Sequence, residues 1–136
     1  MKLSQSKIWS ISDLHLSFGT PGKSMEIFGW KNHPQSIETA WKEKIRQEDI
    51  VLLAGDLSWA ISIQQVIPDL EWLEALPGTK ILIRGNHDYW WKSITKLRSL
   101  PFHSIHFIQN DSWTNQGVTI GGTRLWDSTE YNFGAY

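Results

Sequence analysis

Three short segments of the chain are rich in apolar and β-branched residues and end in polar residues and a turn. They are residues 7–12, 50–54 and 80–83. The last two are almost continuously apolar, which is typical of strands that are buried on both faces of a parallel sheet. The pattern therefore predicts β-strands at these three positions.

Apolar residues recur at helical spacing in three further segments, residues 34–45, 63–73 and 89–100. Pro34 can open the first helix, because proline is favoured at the first helical position. Pro68 lies inside the second pattern and indicates a break or a restart of that helix. These three segments are therefore predicted to be helices, the second of them interrupted.

Two weaker strand patterns follow at residues 105–109 and 118–121. The alternation of strands and helices predicts the α/β class with right-handed crossovers. No internal repeat or inter-domain linker is visible, so residues 1–136 are interpreted as one domain. Residues 17–33 form a long loop with glycine and proline, and its length predicts a functional flap.

Composition narrows the class of protein further. The 136 residues include no cysteine, which excludes disulfides, zinc–thiolate and iron–sulfur sites and a cysteine nucleophile. The longest apolar run, residues 50–54, is far too short to span a membrane, and the first seven residues lack the apolar stretch of a signal peptide. We therefore expect a cytoplasmic protein without a membrane partner. The net charge of −1 provides no broad basic field, which argues against nucleic acid as a partner.

Side chains that can bind metal follow each of the three clear strands. Asp13 and His15 follow the first, Asp56 the second, and Asn86 with His87 the third. In open α/β sheets the ligand site lies beyond the carboxyl ends of the strands, so these side chains should converge there. Asp13 and His15 are two residues apart, and an extended backbone would point both the same way.

The chemistry of these donors points to a particular kind of metal centre. Carboxylates, an imidazole and a carboxamide oxygen, without sulfur, suit Mn, Fe or Zn. Ligands from three strands favour two ions that share Asp56, with Asn86 on the second ion. Two ions about 3.5–4 Å apart can clamp a phosphoryl group and lower the pKa of a bridging water to make hydroxide. Gly55 and Gly85 would let the backbone turn tightly at the site.

The blocks Asp13-Leu14-His15, Gly55-Asp56 and Gly85-Asn86-His87-Asp88 resemble the first three signature blocks of the calcineurin-like metallophosphoesterases. Their surroundings, and residues 121–128, are similar to a bacterial subgroup of predicted phosphohydrolases. The resemblance implies an αββα sandwich and hydrolysis of a small phosphoester at a dinuclear metal centre.

Roles for individual residues also follow from the resemblance. It implies that Asp13, His15 and Asp56 bind the first metal, and that Asp56 and Asn86 bind the second. His87 would act as proton donor to the leaving group and would be oriented by Asp88. Arg84 is similar to an arginine that grips the substrate phosphate.

The sequence departs from the family pattern in its later part. Members of the family continue with a Gly-His block and a Gly-His-x-His block, and neither occurs here. The chain is therefore interpreted as a C-terminally incomplete domain with under-liganded metals. One alternative is a non-catalytic remnant that serves as an interaction or structural piece, and an exposed sheet edge would favour self-association. A second alternative is a phosphodiesterase directed at nucleotides.

Other histidines and tryptophans have weaker interpretations. His33, next to Pro34, is interpreted as a helix cap or a substrate-side residue, and His103 and His106 as surface or structural residues. Tryptophans beside the motif blocks are expected to pack in the core, with one or two walling a substrate pocket; they are Trp59, Trp90, Trp91 and Trp126.

Overall fold

A four-stranded parallel sheet forms the centre of the computed structural model, which describes residues 5–124. The strand order along the sheet is β1-β2-β3-β4, so the chain adds each strand next to the previous one. All four strands fall within or next to the predicted segments, and they are β1 (Ile8–Ile11), β2 (Ile50–Leu53), β3 (Thr79–Leu82) and β4 (Ile105–Phe107). The prediction of a parallel α/β sheet is thus confirmed.

Three helices connect the strands: α1 (His33–Lys44), α2 (Ile63–Glu74) and α3 (Ile94–Arg98). The predicted break at Pro68 is wrong, because α2 continues through this residue. Because proline has no N–H group, the Gln64 carbonyl, four residues earlier, has no helical hydrogen-bond donor. Gln64 is exposed, so solvent can reach that turn. In α2 the proline therefore costs a hydrogen bond without ending the helix.

The third helix is shorter than predicted. Residues 89–93 are not helical, and Ser93 caps α3 by accepting a hydrogen bond from the Lys96 amide. Trp90 and Trp91 are nevertheless buried as expected, each about 1% exposed. A turn in which the Trp91 amide donates to the Asp88 carbonyl places them there. The apolar pattern therefore reported burial correctly but not the backbone conformation.

The two faces of the sheet carry different layers. One face packs against all three helices, and its core includes Trp41, Leu70, Leu73, Leu82 and Leu97. The other face packs through Ile50, Ile81 and Ile108 against an antiparallel hairpin of β5 (Asp111–Asn115) and β6 (Val118–Gly122). Residues 5–124 thus form a helix layer, a parallel sheet and a second, two-stranded sheet.

Strand β5 was not predicted from the sequence. Only Trp113 among its five residues is partly buried, and the other four are exposed and polar. Its position is fixed by pairing with β6 and by Trp113 packing on the sheet. The segment 121–128, singled out above, begins with the last two residues of β6, and its residues 125–128, including Trp126, lie outside the described residues.

Residues 17–33 contain two short 3-10 turns, Pro21–Lys23 and Met25–Phe28, rather than an irregular loop. His33 does not cap α1 with its side chain; its Nε2 instead lies 2.5 Å from the Leu14 carbonyl oxygen. In this way His33 ties α1 to the loop that follows β1. Within residues 5–124, no helix is long and apolar enough to cross a membrane.

A buried lysine closes the end of the sheet at the start of β3. The Lys80 ammonium is fully buried and donates hydrogen bonds to the Leu76 carbonyl and, at 3.0 Å, to Ser104 Oγ. Burial lowers the pKa of Lys80 from 10.5 to about 8, and nearby Glu74 opposes the shift. His103 precedes β4 and is exposed, and His106 lies 5.4 Å from the Trp113 ring, in keeping with structural roles.

Candidate metal centre

The loops that follow β1 and β2 run side by side and are joined through their main chains. The Asp13 amide donates to the Gly55 carbonyl at 3.0 Å, and the His15 amide donates to the Asp56 carbonyl at 3.0 Å. These bonds extend the parallel pairing of β1 with β2 beyond the strands. As predicted, Asp13, His15 and Asp56 meet at the carboxyl end of the sheet.

The backbone at all three residues is left-handed rather than extended. The φ angles are 58° at Asp13, 43° at His15 and 52° at Asp56. The extended backbone predicted for the Asp-x-His pair is therefore wrong, although the two side chains do converge. A left-handed residue other than glycine costs on the order of 1 kcal/mol and persists where the surroundings impose it, as they do at many functional sites.

The three side chains are close enough to hold one metal ion. Their ligand atoms all lie within 4.8 Å of one another, and His15 Nε2 is 3.8 Å from both Asp13 Oδ1 and Asp56 Oδ2. Two metal–ligand bonds of about 2.1 Å can span up to about 4.2 Å, so both distances fit a shared ion. The two carboxylates also carry negative charge that a divalent cation would neutralise. The donor set and its spacing therefore fit a divalent metal.

Two glycines allow the loop after β3 to press against the loop after β2. A Cβ atom on Gly85 would lie 2.1 Å from Asp56 Oδ1 and 2.2 Å from the Asp56 amide nitrogen. A Cβ on Gly55, where φ is +99°, would lie 2.6 Å from the Gly85 Cα. Neither approach leaves room for any side chain, so both glycines are required for Asp56 to take its position.

His87 and Asn86 lie next to Asp56 on the third loop. The His87 amide donates to Asp56 Oδ1 at 2.9 Å, and His87 Nδ1 lies 2.8 Å from Asp56 Oδ2. Asn86 is exposed, and its side-chain nitrogen lies 3.3 Å from His87 Nδ1. The structure thus brings both residues to the Asp13–His15–Asp56 group, with the His87 side chain 39% exposed.

Asp88 has a different role from the one the resemblance implied. The Asp88 carboxylate does not orient the His87 ring, whose Nδ1 instead lies against the Asp56 carboxylate. The Asp88 carboxylate accepts hydrogen bonds from the main-chain amides of Asp56, Leu57 and Gly85 at 2.8–2.9 Å. The Trp90 indole donates a further bond at 3.1 Å. Burial raises the pKa of Asp88, and the hydrogen bonds from the main chain oppose that shift. Asp88 therefore holds the second and third loops together.

Two further groups lie beside the centre: Trp59, which was expected to pack in the core or to wall a substrate pocket, and Asp69, which was given no role from the sequence. The Trp59 ring stacks on His15, with 4.4 Å between ring centroids and 21° between planes. Asp69 of α2 is fully buried; it accepts a hydrogen bond from the Ser58 hydroxyl and, at 2.8 Å, from the Phe18 amide. Burial raises the pKa of Asp69, and the Ser58 bond opposes that shift. Asp69 lies on the apolar face of α2. A charged residue on such a face was the feature of the sequence from which its buried role could have been predicted.

A cavity of about 780 Å³ opens beside Asp13 and His15. It lies between β1, α1 and the segment 17–33, which contributes Met25 and Trp30. The segment predicted to be a flap therefore borders the candidate metal centre. Arg84, two residues beyond β3, is half-buried and lines a separate, smaller pocket of about 210 Å³.

A parallel α/β sheet with carboxylates and a histidine gathered at its carboxyl end is an arrangement that could hold a metal ion. The model of the calcineurin-like phosphoesterase family matches residues 6–132, and the chain belongs to that family. This confirms the resemblance drawn from the three blocks.

Three curated relatives are similar to parts of the chain. The Gene 66 protein of Mycobacterium phage D29 is 35% identical over 83 residues, which are 61% of this chain and 41% of the phage protein. The Gene 66 protein of Mycobacterium phage L5 is 34% identical over 87 residues, which are 61% of this chain and 40% of the phage protein. An uncharacterized protein of Methanocaldococcus jannaschii, MJ1445, is 29% identical over 114 residues, 78% of this chain and 58% of that protein. The chain thus spans about two fifths of the length of its phage relatives.

One solved structure shares the fold. The protein of unknown function AQ665 from Aquifex aeolicus superposes with a TM-score of 0.53 at 24% identity, over 82% of this chain and 56% of that one. This likeness agrees with the arrangement of sheet and helices described above.

Proposed function

We propose that the protein is a metal-dependent phosphoesterase whose centre is built on Asp13, His15 and Asp56. The observation that carries the proposal is the convergence of three potential ligands, each with a left-handed backbone, at one end of the sheet. Membership of the calcineurin-like phosphoesterase family supports the same chemistry. The whole reaction, including its substrate, belongs to this proposal.

The centre is proposed to hold two divalent ions of Mn, Fe or Zn. Asp56 has both carboxylate oxygens at the junction of the second and third loops, which suits a ligand shared between two ions. Asn86 on the third loop would contribute a neutral oxygen to the second ion. When bound, such ions neutralise charge on the phosphoryl group and activate a water molecule as the nucleophile.

His87 is proposed to deliver a proton to the leaving oxygen. Its Nδ1 faces Asp56, which fixes the ring and leaves Nε2 for proton exchange with the substrate. Asp88 contributes indirectly, because it fixes the loop that carries His87. Arg84 is proposed to bind a phosphate oxygen, since a guanidinium matches the geometry of that anion.

The geometry favours catalysis over the non-catalytic remnant. A remnant has no need for three strained residues or for glycines that a single methyl group would disrupt. Such costs are ordinarily retained where function requires them. The segment 17–33 also borders the centre rather than lying elsewhere on the surface.

The proposal can be tested with simple aryl phosphates. The metal-depleted protein is reloaded with Mn²⁺, and hydrolysis of p-nitrophenyl phosphate and bis-p-nitrophenyl phosphate is followed by absorbance. We expect turnover that depends on the added metal and is lost in Asp56→Asn. Glu43→Gln, which removes an exposed carboxylate on α1, is the matched control and should retain full turnover.

The comparison also separates this function from its alternative. Absence of metal-dependent turnover with both esters would support the remnant. Equal turnover in Asp56→Asn and in the unmodified protein would refute the assignment of Asp56 as a shared ligand. The ratio of monoester to diester turnover would establish which ester is preferred.

A further inference from the structure

A group of three aromatic rings lies at the candidate metal centre, with Trp59 next to both histidines. The Trp59 and His15 rings are stacked, with 4.4 Å between centroids and 21° between planes. The centroid of the Trp59 ring also lies 5.5 Å from that of His87, and the two histidine rings are 5.8 Å apart. Trp59 therefore neighbours a candidate metal ligand and the proposed proton donor at the same time.

The main chain fixes the position of Trp59 beside His15. The Leu16 amide donates to the Leu57 carbonyl at 2.8 Å, and the Trp59 amide donates to the Leu16 carbonyl at 2.9 Å. These bonds form a parallel bridge between Leu16 and Ser58, both of which are fully buried. The stack is thus set by the same pairing of loops that forms the candidate metal centre.

The His15 ring lacks the hydrogen bond that usually orients a metal-binding histidine. Its Nε2 lies 3.8 Å from carboxylate oxygens of both Asp13 and Asp56, so this nitrogen faces the candidate ion site. Its Nδ1 is buried and has no hydrogen-bond partner among residues 5–124. Metal-bound histidines almost always donate this second N–H to a carboxylate, a carbonyl or water, which fixes the plane of the ring. In the described part of the chain, the face of Trp59 is the closest ring contact of His15 and is placed to set that plane.

The presence of an indole at this position carries a cost. Trp59 Nε1 is buried and has no acceptor within the described residues. A buried N–H without an acceptor is unfavourable, and a phenylalanine or a leucine would not introduce one. What an indole offers in return is a large, flat and electron-rich face. The face of the ring, and not its N–H group, is therefore the feature that this position uses.

We propose that Trp59 is a positioning residue of the metal centre, which holds His15 Nε2 towards the ion and favours its metal-bound form. An imidazole that binds a divalent cation through Nε2 takes on positive character, and the negative face of an indole attracts it. The stack should then be stronger with metal bound than without, so Trp59 contributes to metal affinity as well as to packing. This inference rests on the metal centre proposed above.

Calorimetric titration of metal-depleted protein with Mn²⁺ tests the inference without any turnover. We expect Trp59→Leu, which removes the aromatic face, to weaken Mn²⁺ binding about tenfold. Trp59→Phe keeps an aromatic face without the N–H group and should bind Mn²⁺ within about threefold of the unmodified protein. The matched control is Trp113→Leu, because Trp113 is also partly buried and lies against a histidine, 5.4 Å from the His106 ring. The control should leave Mn²⁺ affinity unchanged, and far-UV circular dichroism checks that all three variants fold.

Proton NMR of the metal-free protein provides a second measurement, which reports the stack itself. An indole face shields the protons of a ring that is stacked on it, because of the circulating electrons of its π-system. The ring-proton signals of His15, identified by their loss in His15→Gln, should therefore move downfield in Trp59→Leu. They should move much less in Trp59→Phe and should stay in place in Trp113→Leu.

Four outcomes would overturn the role assigned to Trp59. They are equal Mn²⁺ affinity in Trp59→Leu and the unmodified protein, an equal loss in Trp59→Phe and Trp59→Leu, an equal loss in Trp113→Leu, and His15 signals that do not move in Trp59→Leu. Absence of Mn²⁺ binding in the unmodified protein would contradict the metal centre itself, and this inference with it. Mn²⁺ binding that does not depend on Trp59 would contradict this inference alone.

Discussion

Replacement of Asp88 by asparagine should destabilise the protein far more than an ordinary acid-to-amide change. Oδ2 of Asp88 accepts the amides of Asp56 and Gly85, and Oδ1 accepts the Leu57 amide and the Trp90 indole. An asparagine side chain has only one oxygen. Its amino group would take the place of the second carboxylate oxygen and would face two N–H donors. At least two buried donors would lose their acceptor.

The magnitude follows from the cost of buried, unsatisfied donors. Each costs about 1–3 kcal/mol, so Asp88→Asn should lower the free energy of unfolding by about 2–6 kcal/mol. Since small domains are stable by only about 5–15 kcal/mol, the loss would be a large share of the total. The variant should also bind Mn²⁺ more weakly, because the turn that carries Asp56 is no longer held.

Urea unfolding followed by far-UV circular dichroism measures the first effect, and calorimetric titration with Mn²⁺ the second. Glu71→Gln makes the same chemical change at an exposed position of α2 and should alter the free energy of unfolding by no more than about 0.5 kcal/mol. A loss below about 1 kcal/mol in Asp88→Asn, with unchanged Mn²⁺ affinity, would refute the role assigned to this carboxylate.

Two further substitutions test other parts of the account. Gly85→Ala places a methyl group 2.1–2.2 Å from Asp56 and should lower the free energy of unfolding by about 1–3 kcal/mol and remove most of the metal affinity. Gly22→Ala, which has open space around it, is the control and should be close to neutral. Equal behaviour of the two variants in urea unfolding and Mn²⁺ titration would contradict the tight packing. The lowered pKa of Lys80, about 8 in the folded protein against 10.5, means that the unfolded chain holds more protons between those values, so the free energy of unfolding should rise by up to about 3 kcal/mol from pH 8 to 10.5. Lys80→Met should remove that rise, and unfolding curves with the same pH slope in both proteins would show that the lysine is not desolvated.

Much of the fold was predictable because its central strands are simple. β2 and β3 are buried on both faces, and continuous apolar runs report that environment directly. The hairpin strand β5 was missed because four of its five residues are exposed and polar, so its pairing with β6 leaves almost no apolar pattern. The helix predicted from residue 89 failed for a related reason, since Trp90 and Trp91 are buried by a turn rather than by a helical stripe.

The candidate site was predicted in its composition but not in its geometry. The residue types that follow the strands identified Asp13, His15 and Asp56, because strand ends of a parallel sheet share one edge. The left-handed backbone at these residues depends on hydrogen bonds between loops that are far apart in sequence. The same reason explains Asp88, whose main partners include amides 31 and 32 residues earlier in the chain.

Anomalous diffraction from crystals soaked in Mn²⁺ tests the central claim most directly. We expect a manganese peak bonded to Asp13, His15 and Asp56, and the loss of that peak in Asp56→Asn crystals grown and soaked in the same way. A peak that lies elsewhere, or one that is unchanged in Asp56→Asn, would contradict the assignment of the metal centre.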